Sequence, residues 1–306
     1  MSVIHNKADQ QDESTDQPCS AIDLLIRPGQ KDLGGFSVRR CLPWPQRRLV
    51  GPWIFFDHAG PGEFAPGEGV DVRPHPHINL ATVTYFFAGQ FLHQDSLGNN
   101  QVIEPGDINL MVAGKGIVHS ERTPDDLRPN GSTINALQLW LALPEADEEI
   151  PPAFYHYDRD EIPEVVIDGV DVRVMMGTAF SVTSPVKTFA ETLYFEALIP
   201  EGLTLDLPEV EERAIYVVEG ELELDGEVIP QYAMAVLSSK SGLRIQASIA
   251  SRIALIGGAN IGQRHIWWNF VSSRKERIEQ AKQDWREGRF DKIPGDDQEF
   301  IPLPED

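Results

Sequence analysis

The chain repeats itself. Thr84-Tyr85-Phe86-Phe87-Ala88-Gly89-Gln90 returns 131 residues later as Ile215-Tyr216-Val217-Val218-Glu219-Gly220-Glu221. In each copy the glycine leads into a polar hairpin. A proline then precedes a further apolar run, Ile108 to Val112 in the first copy and Ala233 to Leu237 in the second. Two weakly similar units at a fixed offset imply that one fold was duplicated. The unit is β in character. From Ile22 onward, short apolar runs such as Thr82-Val83-Thr84-Tyr85-Phe86-Phe87 and Asn135-Ala136-Leu137-Gln138-Leu139-Trp140-Leu141 alternate with Gly, Pro, Asn and Asp, the pattern of a β-sandwich or barrel. Leu97-Gly98-Asn99-Asn100 and Leu224-Asp225-Gly226-Glu227 read as hairpin turns, because Gly, Asn and Asp tolerate the positive φ that such turns need.

A length of 306 residues fits two domains at roughly 100–200 residues each. We expect a disordered, acidic arm over residues 1–20, a first barrel over 21–148 and a second over 149–265. A helix and an irregular tail over 266–306 would pack on the barrels. The acidic, proline-containing stretch from Pro144 to Pro163 reads as the linker. Ser273-Arg274-Lys275-Glu276 has capping-box spacing ahead of good helix formers from Arg277 to Gly288, with Ile278, Ala281, Lys282 and Trp285 near one face. Beyond Pro294 the tail reads as a strap.

Charge removes one class of function. The formal net charge is −22, with 26 Lys and Arg against 48 Asp and Glu, the reverse of the basic footprint that binds phosphate backbones; direct nucleic-acid binding is not expected. No apolar run approaches the ~20 residues of a membrane-spanning helix, and the polar N-terminus lacks the pattern of a secretory signal, so no membrane partner is expected. The two cysteines, Cys19 and Cys41, are too few for a disulfide framework and fit free thiols in a cytoplasmic protein.

Two short pairs point to chemistry: His75-Pro76-His77 and, 42 residues after His77, His119-Ser120-Glu121. On a strand, i,i+2 spacing places both side chains on one face. Both pairs flank a strand–hairpin–strand unit whose length suits one barrel wall. Three imidazoles and a carboxylate from neighbouring strands make a coordination shell for one divalent transition metal. Four protein ligands leave one or two positions open on a five- or six-coordinate ion, whereas a tetrahedral zinc site would be closed; the donor set does not choose between them. The second repeat keeps none of this, since Leu207 to Arg213 contains no histidine.

The other histidines read differently. His93 fits a strand-end cap or a surface hydrogen bond. His58 fits the pocket mouth or a turn residue equally well, and His156 and His265 have no partner spacing. Gly114-Lys115-Gly116 lacks the ending of a phosphate loop and reads as a tight bend delivering His119 and Glu121. Trp140, Phe87, Met111 and Leu139 read as ordinary core.

At this point the chain resembles the pirin family of the cupin superfamily. The resemblance rests on His75-Pro76-His77, the Thr82-Val83-Thr84-Tyr85 run, His93-Gln94-Asp95-Ser96, Pro105-Gly106-Asp107, and Ala113-Gly114-Lys115-Gly116-Ile117-Val118-His119-Ser120-Glu121, with Gln138-Leu139-Trp140 following. It implies an all-β fold of two tandem cupin barrels (double-stranded β-helix, or jelly-roll) with a C-terminal helix. It further implies one metal in the first barrel, held by His75, His77, His119 and Glu121. Iron(II) is the ion expected, with Ni, Cu, Mn, Co and Zn compatible with the same donors. Some pirins resemble quercetin 2,3-dioxygenases, which implies a small flavonol-like aromatic substrate and dioxygen, with Glu121 as general base while it ligates the metal. The alternative is a metal- or redox-sensing interaction protein that acts on a protein partner, a transcriptional co-regulator or a modulator of a metabolic enzyme. A sugar isomerase fits less well, for want of a base near Ala81. One departure stands out: where many cupins carry a Glu shortly after the H-x-H pair, this chain has Leu80-Ala81-Thr82.

Overall fold

Three antiparallel sheets make up most of the molecule. The computed structural model describes residues 20–32 and 36–305, so the expected N-terminal arm (but for Ser20) and Cys19 lie outside the described residues. A seven-stranded sheet runs in the order Ala153–Tyr157, Ile108–Val112, Leu80–Gly89, Ser132–Ala142, Trp53–Phe64, Ser37–Leu42 and Gln30–Asp32. A four-stranded sheet, Asp71–His77, Ile117–Arg122, Phe91–Asp95 and Asn100–Ile103, completes the first domain. The second domain is built on a nine-stranded sheet whose main path is Ile22–Ile26, Met234–Leu237, Glu212–Leu224, Arg244–Gly258, Thr192–Ile199, Val170–Met176 and Glu164–Ile167.

Burial on both faces explains why the central strands of the first domain lack polar alternation. Leu80–Gly89 is almost wholly buried. One face looks into the first domain and the other against the second. Val83, Tyr85, Leu110, Leu137 and Leu139 join Tyr194, Tyr216, Val218 and Ile256 in one apolar cluster that spans both domains. Trp53 crosses the same boundary, its Nε1–H donating to the carbonyls of Gly257 (3.0 Å) and Leu193 (3.2 Å).

The repeat is visible in backbone detail. Gly89 and Gly220 both have φ of 87°. A Cβ on Gly89 would meet the Thr133 carbonyl oxygen at 2.0 Å, and one on Gly220 the Ala250 oxygen at 2.6 Å, so both positions require glycine for φ and for space. Gly106 N–H donates to Phe86 O (3.0 Å) as Tyr232 N–H does to Val217 O (2.7 Å), one repeat offset apart on the acceptor side. Asp225-Gly226, with φ of 50° and 81°, forms the two-residue hairpin turn expected there.

The chain exchanges strands across the boundaries set from sequence. Ile22–Ile26, placed with the first barrel, pairs with Met234–Leu237 in the second domain's sheet. Ala153–Tyr157, placed with the second, pairs with Ile108–Val112 in the first. Residues 144–163 are therefore no free linker. They contain this strand, two short 3-10 turns and the buried carboxylate of Glu148, which pairs with Arg264 at 3.1 Å and accepts from Ser273 N–H at 2.7 Å. The C-terminal helix spans Lys275–Arg286 and buries Ile278, Ala281 and Lys282. No capping box forms, because Ser273 Oγ donates to Glu148 instead. Beyond the helix the tail does strap the first domain: Ile301 N–H donates to Pro74 O at 2.8 Å, and Asp296 accepts from Ser120 Oγ at 2.7 Å and Arg122 Nε at 2.9 Å.

Candidate metal centre

The two histidine pairs meet through strand register. Asp71–His77 runs antiparallel to Ile117–Arg122 with His75 opposite His119 and His77 opposite Ile117. One ligand nitrogen from each of His75, His77 and His119 lies within 4.8 Å of the other two, and all three residues are buried. Ring centroids stand 4.4 Å apart for His75 and His119 and 5.0 Å for each pair involving His77.

Each ring is held at Nδ1. His75 Nδ1–H donates to the Arg73 carbonyl at 2.9 Å, and His77 Nδ1–H to the Asn269 carbonyl at 3.2 Å. His119 Nδ1 lies 3.5 Å from Nδ1 of His93, whose Nε2–H donates to Asp95 Oδ2 at 3.0 Å. That donation leaves His93 Nδ1 as the acceptor in the neutral tautomer, so His119 is the donor. Nε2 is thereby left free on all three rings, the arrangement in which an imidazole is oriented through its second nitrogen toward a metal. His119 Nε2 is buried and has no hydrogen-bond partner, a cost that a bound cation removes. Desolvation lowers the pKa of His75 to about 4 and takes His77 and His119 well below the ordinary histidine value, so all three rings are neutral ligands at pH 7.

Glu121 sits one step away. A β-bulge between His119 and Glu121 shifts the register, placing Glu121 opposite Val72 on one neighbouring strand and His93 on the other. Its carboxylate is not among the donors that cluster within 4.8 Å. It makes no hydrogen bond or ion pair among the described residues, and desolvation raises its pKa to about 7. The donor set thus fits a divalent transition metal: three neutral imidazoles aimed inward and an unpaired carboxylate adjacent.

Several side chains read as background turn out to belong here. His93 is no surface residue; it is buried, stacked on Phe154 (4.4 Å between centroids, 16° between planes), and it orients His119. The sequence signal was present in His93-Gln94-Asp95, a third i,i+2 pair on a strand. Trp140 stands edge-on to His77 at 5.0 Å and stacks on Phe55 at 3.9 Å, and both cluster with Met111, Leu80 and Ile117 in the interior beside the histidines. His58 lies at neither a pocket mouth nor a turn. It is buried in strand Trp53–Phe64 at the domain boundary, its Nδ1 bonded to Tyr216 Oη (2.8 Å) and Nε2 to Asn135 Oδ1 (2.7 Å). His5 lies outside the described residues. His156, which had no partner spacing, groups with Asp107 and Asp158. Both Asp107 oxygens already accept backbone amides there, from Arg159 (2.9 Å) and Glu104 (3.0 Å), which marks a turn structure.

Two packed antiparallel domains, the first with a buried three-histidine cluster between its sheets, define a bicupin. The chain belongs to the pirin family: the Pirin profile matches residues 35–141 and the Pirin C-terminal cupin domain profile residues 194–291. A pirin-like protein of Caulobacter vibrioides is 45% identical over 289 residues, covering 93% of this chain and 100% of that protein. The crystal structure of a quercetin 2,3-dioxygenase from Acinetobacter baumannii superposes with a TM-score of 0.85 at 32% identity, covering 92% of this chain and 95% of that one. A bacterial pirin from Escherichia coli, solved with nickel(II), shares the fold at a TM-score of 0.62 and 19% identity, over 78% of this chain and 99% of that one.

Proposed function

We propose that the chain is a metal-dependent dioxygenase acting on flavonol-type aromatic substrates of the quercetin class. The observation that carries this reading is the buried, unpartnered Nε2 of His119 beside His75 and His77, each fixed from behind through Nδ1. The likeness to the Acinetobacter quercetin 2,3-dioxygenase supports the choice of chemistry. His75, His77 and His119 would hold one divalent ion, iron(II) being the expected one, with Glu121 as the fourth ligand. When bound, the ion supplies Lewis acidity toward a substrate hydroxyl and the redox capacity that reaction with dioxygen needs. Glu121, unpaired and adjacent, takes the hydroxyl proton of the substrate. Trp140, Phe55 and Phe154 offer flat apolar faces that orient an aromatic ring and exclude water from the centre.

The test is loss of flavonol absorbance from quercetin on iron-loaded protein, with and without air. We expect oxygen-dependent loss by the wild type and none by His75→Ala or His119→Ala. Loss that is equal in either variant, or no metal-dependent loss at all, contradicts the proposal.

A further inference from the structure

A cavity of about 480 Å³ opens between the domains, away from the histidine cluster. That volume lies in the range of small-molecule sites, roughly 300–1,000 Å³. Strand alternation separates the two places. On Leu80–Gly89, Thr84 bonds Gln138 on one face, while Tyr85 and Phe87 point the other way and roof the cavity. The floor is the outer face of the second domain's sheet, where register sets two rows across neighbouring strands: Glu164, Arg173 and Glu196, then Val166, Asp171, Leu198 and Arg252.

Side chains of the first row are already hydrogen-bonded. Arg173 donates to Glu164 through Nε (2.8 Å) and to Gly106 O through Nη1 (3.0 Å), and Glu196 accepts from Tyr85 Oη. Arg252 is different. Its Nε lies 3.1 Å from Glu196 Oε1 without hydrogen-bond alignment, and that nitrogen is buried and unbonded. Neither of its Nη atoms makes a hydrogen bond among the described residues. Its guanidinium carbon sits 5.2 Å from the Phe87 ring centroid. A planar fork is thus held against an aromatic face, ion-paired to Glu196 on its Nε side and with both Nη groups open to a ligand. Beside it, Leu198 and Val166 remain 39% and 64% exposed, an apolar edge of the cavity that a ligand can cover.

We propose that this inter-domain cavity binds a small organic monocarboxylate with a flat apolar body. The carboxylate takes the Arg252 fork, and the ring lies between Phe87 and Leu198. Two open Nη groups on one guanidinium, with the carboxylates of Glu196 and Asp171 close by, favour a ligand of a single negative charge over a phosphate or a dicarboxylate. The site is independent of the metal and of the proposed dioxygenase chemistry.

The experiment is calorimetric titration of the full chain with naphthalene-2-carboxylate and with its neutral isostere, naphthalene-2-carboxamide. We expect saturable one-to-one binding of the carboxylate, with the carboxamide weaker by about tenfold or more. Arg252→Met should weaken the carboxylate by a similar factor. Leu198→Glu, an exposed substitution that leaves the core untouched, should do the same by repulsion. His75→Ala should leave binding within about twofold, because the two sites share no residue. Equal affinity for the two probes, no effect of Leu198→Glu, loss of binding in His75→Ala, or no saturable binding up to about 5 mM carboxylate overturns the proposal.

Discussion

Every imidazole in the centre is anchored through one nitrogen so that the other is free, and this sets what single substitutions do. His93 supports His119 without being counted among the clustered donors, so His93→Ala should lower metal affinity about 10–100-fold while leaving one site per chain, measured by competition with a chelator. His58 gives a pH signature unconnected with the metal. Burial holds its pKa at about 4 against 6.5 for the free side chain. Because the folded value is depressed, the unfolded chain takes up the proton first. The contribution of neutral His58 is complete above about pH 6.5 and is lost as the pH falls toward about 4, on the order of 3 kcal/mol over that interval. Unfolding free energies of wild type and His58→Gln, compared between pH 7 and 4.5, should therefore converge toward the acid end; parallel curves would contradict the assignment. At this scale the two histidine pairs were legible because strand periodicity translates i,i+2 spacing directly into a shared face. His93, Phe55 and Trp140 were not, because their role depends on which strands become neighbours, and a lone aromatic or histidine looks the same in core and in pocket.

Strands and turns were legible where local chemistry dictates them, at Asp225-Gly226 and at the two repeat glycines. Gly89→Ala and Gly220→Ala should each destabilise the fold by more than about 1 kcal/mol in thermal unfolding, since both combine positive φ with a backbone oxygen in the place of the new methyl. The bulge that re-aims Glu121 left no mark in the sequence, since it arises from pairing with Asp71–His77. The misjudged capping box has a similar cause: Ser273 satisfies the buried Glu148 rather than its own helix. The tail acts on the metal-site sheet through Asp296, which grips Ser120 and Arg122 on either side of Glu121. Asp296→Ala should release the strap, with a loss of about 1–3 kcal/mol in stability and faster amide exchange over residues 294–305. Unchanged exchange there would show that the apolar contacts of the tail suffice.

On the scale of the whole molecule, duplication was readable and separateness was misread. Sequence repeats report where a unit recurs, but not that its end strands are traded across the boundary, nor that the inner faces of both sheets share one core. A shared core predicts that the two halves unfold as one cooperative unit. Expressed alone, residues 1–148 and 149–306 should each lack cooperative thermal unfolding, while the full chain melts in a single transition; independent melting of either half would count against the shared core. The central claim, that three histidines of the first domain grip one ion, is tested most directly by metal content. After loading with iron(II) under anaerobic conditions and desalting, we predict one metal per wild-type chain and none in His75→Ala, His77→Ala or His119→Ala variants that keep the wild-type melting profile when metal-free. Metal retained at full stoichiometry in those variants, or no metal held by the wild type across iron, nickel, copper, manganese, cobalt and zinc, would contradict it.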